Sequence, residues 1–286
     1  MVSRSMYSKV FAPGWLRVAL VLAMGCRPST GSVDDSDDLG GFRDASMQMV
    51  HDTTVRDLNA GRHPSGTMVR VTGVVISPFT WIDISPDQTA CRYSAYIAQP
   101  APSPSLADGM HLYFARREMP APDMGLNVSR CREVARDWPI YTIASGHKVE
   151  VTGRFEISPA GYRQIFVPGG GGIKDLGMGE AIQPVEAATR DFVNGNAAAF
   201  RDHKAALVRF SNVRVSDSQT MFPYGFKVAP PNQMDKATMT TSYLRVRTSN
   251  YMPPPNDTEL ASVTGIALPD FGGTVWIRTP QDIVPR

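Results

Sequence analysis

The sequence repeats itself in register. Thr54-Val55-Arg56-Asp57-Leu58-Asn59-Ala60-Gly61 aligns with Thr189-Arg190-Asp191-Phe192-Val193-Asn194-Gly195, and each reads as a short helix ending on Asn and Gly. Downstream, Met68-Val69-Arg70-Val71-Thr72-Gly73-Val74-Val75-Ile76-Ser77 matches Leu207-Val208-Arg209-Phe210-Ser211-Asn212-Val213-Arg214-Val215-Ser216. Period-two alternation rich in β-branched residues is a strand signal. The agreement continues at His147-Lys148-Val149-Glu150-Val151-Thr152-Gly153-Arg154-Phe155 and Leu260-Ala261-Ser262-Val263-Thr264-Gly265-Ile266-Ala267. Gly161 and Gly273, and then Pro168 and Pro280, stand at the same spacing from the Val-Thr-Gly of their own copy. Agreement over several segments points to two copies of one structural unit.

Each unit reads as a short leading helix, a long bent strand with Gly73 or Asn212 at its middle, a variable centre and a closing hairpin. Glycine inside a strand marks a bulge or a sharp bend at a barrel corner. The composition agrees: 42% hydrophobic and 9% aromatic residues suffice for packed cores, and 24 Gly with 23 Pro argue against a helical bundle. The Val-x-Val-x-Gly and Val-Thr-Gly strands, with the terminal Pro280-Gln281-Asp282-Ile283, resemble the tandem OB-fold-like modules of bacterial envelope proteins. That resemblance implies a mainly β chain with two tandem OB-like small β-barrels, over residues 47–177 and 178–286. A generic β-barrel or sandwich repeat is the alternative.

Residues 1–25 read as a signal peptide. Arg4, Lys9 and Arg17 give positive charge, and Val18-Ala19-Leu20-Val21-Leu22-Ala23-Met24 is too short to span a bilayer. The junction Leu22-Ala23-Met24-Gly25-Cys26 resembles the lipobox of bacterial lipoproteins, although Ala23 stands where that family prefers Leu. The resemblance implies cleavage before Cys26, lipidation of that cysteine, and attachment to a bacterial membrane, facing the periplasm or the cell surface. Residues 26–46, with the run Asp34-Asp35-Ser36-Asp37-Asp38, read as a flexible tether. The formal charge of +2 belongs to the export segment. Without its three cations, the 29 basic groups of the chain become 26 against 27 acidic, so any polyanion binding needs a local patch.

With Cys26 lipidated, Cys91 and Cys131 remain, and an exported protein meets an oxidising compartment. They form either a bridge or two buried thiols.

No catalytic constellation rises above background, so the expected role is non-catalytic. His51, His63, His111, His147 and His203 do not fall at metal-ligand spacing. A G-x-S-x-G motif is absent, and Gly169-Gly170-Gly171-Gly172 does not precede Gly-Lys-Ser/Thr. Neither a metal nor a cofactor is expected.

The variable centres are where a barrel carries binding specificity. In the first, Tyr93, Tyr96 and Tyr113 lie near Arg116, Arg117, Arg130 and Arg132, giving a candidate binding surface. Aromatics beside cations suit single-stranded nucleic acid, and the same surface suits a saccharide or a protein. The envelope address favours a non-catalytic binding or scaffolding module for an envelope ligand and sets the expectation against nucleic acid. The alternative is a single-stranded nucleic-acid-binding module or the accessory part of a secreted nuclease.

Overall fold

The period-two segments fold as strands, and the two copies fold alike. The computed structural model describes residues 49–84, 90–117, 128–136, 138–158, 160–168, 171–192, 197–219, 224–230, 244–248, 251–269 and 273–286. The expected signal peptide, Cys26 and the acidic tether lie outside the described residues.

The first copy comprises β1 (His51–Asp52), α1 (Val55–Asn59), β2 (Met68–Ile84), β3 (Ala90–Ala98), β4 (Gly109–Arg117), α2 (Val128–Ala135), α3 (Pro139–Thr142), β5 (His147–Ile157), β6 (Arg163–Phe166) and β7 (Ile173–Met178). Its strands run β2-β3-β4-β6-β5, and β5 pairs back onto β2 to close a five-stranded barrel. The contact between β4 and β6 is parallel and the other four are antiparallel.

The second copy comprises β8 (Val185–Glu186), a 3-10 turn (Thr189–Phe192), α4 (Ala197–Asp202), β9 (Leu207–Gln219), β10 (Gly225–Ala229), β11 (Leu244–Arg247), β12 (Glu259–Leu268), β13 (Thr274–Trp276), a 3-10 turn (Pro280–Asp282) and β14 (Ile283–Pro285). Its ring is β9-β10-β11-β13-β12, closed by β12 on β9, again with one parallel contact, between β11 and β13. Two Greek-key barrels of the same strand order are tandem OB folds.

The repeated Val-Thr-Gly follows from closing the ring. A Cβ on Gly153 would stand 2.5 Å from the Phe166 carbonyl oxygen, and one on Gly265 would stand 2.6 Å from that of Trp276. Only glycine lets β5 and β12 pass their neighbours so closely. The bend of the first strand falls elsewhere than expected. Gly73 stays in register with Val149, and the bulge comes between Val75 and Ser77. In the second copy Asn212 itself takes the irregular position, at φ 51°, a left-handed conformation that Asn tolerates.

The leading helices differ. α1 is capped by the Thr54 hydroxyl, which accepts the Asp57 N–H at 3.1 Å, and it buries Val55 and Leu58. Its counterpart is one residue shorter in sequence and starts as a 3-10 turn that buries Phe192.

Each barrel has its own core, and a third apolar cluster joins them. Ile76, Tyr96 and Ala98 of the first barrel pack with Ala205, Leu207, Ile266 and Leu268 of the second. The loop between β3 and β4 adds a plug, because Leu106 reaches the core of the second barrel. α1 holds that loop in place. Arg56 Nη2 donates to the Ser103 carbonyl at 2.7 Å and to Asp108 Oδ2 at 3.0 Å, and Asn59 Nδ2 donates to the carbonyls of Ala107 and Gly109 at 2.8 and 2.9 Å.

Candidate ligand-binding faces

Strand parity decides which aromatics can meet a ligand. On β3 the side chains of Cys91, Tyr93, Ala95 and Ile97 enter the barrel core, as do Met110, Leu112 and Phe114 on β4. Tyr93 is therefore no binding residue, which corrects the reading of the sequence. Its ring meets Trp138 edge-on at 4.7 Å, and its hydroxyl donates to the Cys131 carbonyl at 2.7 Å. Cys131 is disulfide-bonded to Cys91, with Cα atoms 5.4 Å apart, so the bridge and not the thiol pair is present. It pins α2 over the open end of the barrel.

The opposite parity faces outward and carries a row of rings. Tyr96 stacks on His111 at 5.2 Å, His111 lies 6.2 Å from Tyr113, and Tyr113 lies 5.8 Å from Phe166. The Arg154 guanidinium sits 5.4 Å from the Phe166 centroid and is paired with Glu156 at 2.6 Å. His111 is held on both nitrogens, by Ser94 Oγ at 2.9 Å and Gln164 Oε1 at 3.2 Å. A carbonyl oxygen accepts, so Nδ1 carries the proton and Nε2 accepts from the serine. Burial, aided by the charge of Lys204, pushes the His111 pKa well below 6.5, and the bond to Gln164 opposes that shift. The ring is neutral.

The second barrel covers part of this row. Tyr96 is only 3% exposed because it belongs to the joining cluster, so it is not the open surface the sequence suggested. Tyr113 stays half-buried at the outer face. The candidate arginines do not gather beside it. Arg130 and Arg132 lie exposed on α2, the helix tied to the barrel interior, and Arg130 pairs with Glu133 at 3.1 Å. Arg116 and Arg117 end β4, in register with Cys91 and Ala90.

The stronger face belongs to the second barrel, where sequence reasoning placed none. Leu244 and Val246 fill the core, which sends Arg245 and Arg247 outward from β11. Phe226 and Val228 do the same on β10, leaving Lys227 outside and directly opposite Arg245. On β13, Trp276 pairs in register with Arg247, whose guanidinium lies 5.8 Å from the indole centroid. Lys227, Arg245 and Arg247 line an open groove of about 290 Å³ with Tyr224, Gln219 and Asp217. Asp217 neutralises one cation, pairing with Lys227 Nζ at 2.7 Å. Like charges opposed across a ladder cost energy that an anionic ligand relieves. The Leu-Arg-Val-Arg alternation of 244–247 was the signal that could have found this face. Among the described residues no three His, Cys, Asp or Glu side chains come together as a metal site.

No protein-family model matches the sequence, and no curated protein matches it. Among solved structures, the chain is similar to a deletion variant of the single-stranded DNA binding protein from Thermus aquaticus, at 13% identity and TM-score 0.25, over 78% of this chain and 95% of that one. It is also similar to a replication protein A heterotrimer bound to single-stranded DNA, at 6% identity and TM-score 0.24, over 69% of this chain and 54% of that one. Both structural neighbours are described as binding single-stranded DNA. The expectation against nucleic acid as a partner is corrected accordingly.

Proposed function

We propose that this chain is an exported, membrane-tethered protein that binds single-stranded nucleic acid in the outer groove of its second barrel. One observation carries the reading: Lys227, Arg245, Arg247 and Trp276 project from the same outer face of β10, β11 and β13. Cations that track a phosphate backbone, interleaved with a ring on which a base stacks, are what a sequence-tolerant single-strand site requires. That sheet face is also the one on which OB barrels hold oligonucleotides. Export is supported by the Cys26 junction and by the disulfide, which persists in oxidising compartments.

The test is fluorescence anisotropy of a labelled oligothymidylate against the purified chain at about 50 and about 200 mM salt. Each phosphate contact contributes about −0.7 to the slope of log K against log salt, so three cations predict a slope near −2. A saccharide-type site would be indifferent to salt. Binding that does not respond to salt, or no binding at micromolar protein, would defeat the reading.

A further inference from the structure

We infer that the first barrel holds a second contact for the same strand, a cleft whose floor is Tyr113 and whose wall is lent by the second barrel. This rests on the reading of the second-barrel groove as a single-strand site. The registers make the two positions equivalent: Tyr113 pairs with Phe166 between β4 and β6 as Arg247 pairs with Trp276 between β11 and β13. The second barrel places a cation beside a ring at this position, whereas the first places a ring beside a ring, 5.8 Å apart.

The missing charge comes from across the junction. The turn after α4 brings Lys204 Nζ to 4.7 Å from the centroid of Tyr162, a half-buried ring in the β5–β6 turn. Its charge reaches His111, the neighbour of Tyr113 in the ring row. Arg201, exposed on α4, stands beside the same turn, since a Cβ on Gly161 would lie 3.2 Å from its Cδ. The nearby carboxylates are matched by cations, Asp202 by Arg201 at 3.0 Å and Glu156 by Arg154 at 2.6 Å. The floor itself is uncharged, because His111 is buried in its neutral form. Two tyrosine rings, an ammonium against one of them and a neutral floor suit a base and its phosphate. The cleft exists only because the barrels are joined, so it extends a strand already held in the groove.

The experiment uses the full chain, with Lys204→Gln, Lys204→Arg, Tyr113→Ala and Arg247→Gln, and labelled oligothymidylates of about 6 and about 24 nucleotides. A single OB barrel occupies about 4–16 nucleotides, so only the longer strand spans both sites. The expected result is that Lys204→Gln weakens the long strand alone and lowers its salt slope by about 0.7, while Lys204→Arg restores both. Tyr113→Ala should weaken the long strand about five- to a hundredfold and leave the short one unchanged. Arg247→Gln should weaken both lengths. If Lys204→Gln and Tyr113→Ala bind both lengths as the parent does, or weaken both equally, the second contact is refuted and the groove stands. If the parent binds neither length, the groove reading falls and this inference falls with it.

Discussion

Gly109 runs so close to Ala205 that a Cβ on the glycine would stand 2.0 Å from the Ala205 carbonyl oxygen. The two barrels thus meet backbone to backbone. Ala205 is held at φ 72° there, a left-handed conformation that an L residue adopts only under constraint. The constraint is visible: the Ala205 N–H donates to the Ala267 carbonyl at 2.9 Å, and the Ala267 N–H donates to the Ala206 carbonyl at 2.9 Å. Gly109→Ala must part the barrels or distort β4. Its expected cost is about 3 kcal/mol, the upper end for overpacking. Small-angle scattering should show a larger radius and melting should resolve two steps. Gly171, with nothing within 4 Å of an added Cβ and no positive φ, is the control. Gly171→Ala should stay within about 0.5 kcal/mol of the parent.

The bridge between Cys91 and Cys131 spans 40 residues of sequence and is wholly buried. On the chain-entropy account, a loop of that length loses about 4 kcal/mol of stability when its link is removed. Replacing both cysteines by alanine should lower the urea midpoint accordingly. Tyr93→Phe, which deletes only the hydroxyl donated to Cys131, should cost about 1 kcal/mol. An unchanged midpoint in the double variant would show that the bridge carries no stability.

The barrels were legible in the sequence because the closing geometry leaves its mark twice. Gly153 and Gly265 must lack a Cβ, and a requirement met at two equivalent places appears as a repeated motif. The parity of β3 was not legible. Eight of its nine side chains could be apolar or aromatic partners of something, since one face fills the barrel while the far end of the other meets the second barrel, and Tyr93 and Tyr96 look alike in such a run. A one-residue step moves a side chain from core to surface, so choosing both tyrosines placed one of them inside. The groove on the second barrel is the converse case. Arg245 and Arg247 alternate cleanly with Leu244 and Val246, but charge on a half-exposed strand reads as ordinary solvated surface until Lys227 and Trp276 arrive from other strands.

Within the groove, the cations and the ring should separate by their salt response. Arg247→Gln removes one phosphate contact and should reduce the salt slope by about 0.7. Trp276→Ala should cost about 1–3 kcal/mol of binding with the slope unchanged. Trp276→Phe should restore most of that loss. Equal slopes in Arg247→Gln and the parent would place the strand elsewhere.

The tether makes a separate prediction. The mature chain should begin at Cys26 and carry added acyl mass on intact-mass analysis, and Cys26→Ser should release it from membranes. A mature form that begins at another residue without lipid would remove the anchor and leave the groove untouched.

His111 fixes the direction of the pH response. Its folded pKa lies well below the ordinary 6.5, through burial first and the charge of Lys204 second. Between the two values the unfolded chain binds a proton that the folded chain refuses, so stability is full above about pH 6.5 and falls as the pH drops. Below the folded value the loss levels off. His203 acts in the same direction, since burial lowers its pKa against the opposing pull of Asp202. Melting temperature should therefore fall between pH about 7.5 and about 5, before most carboxylates titrate. His111→Gln keeps a polar group within reach of Ser94 and Gln164 and cannot be protonated, so it should flatten that fall. Lys204→Gln removes the charge that holds the pKa down, which raises the folded value toward 6.5 and should also lessen the fall. If His111→Gln and the parent lose stability in parallel over this range, the proton is taken up elsewhere and His111 is not the group that limits the fold in acid.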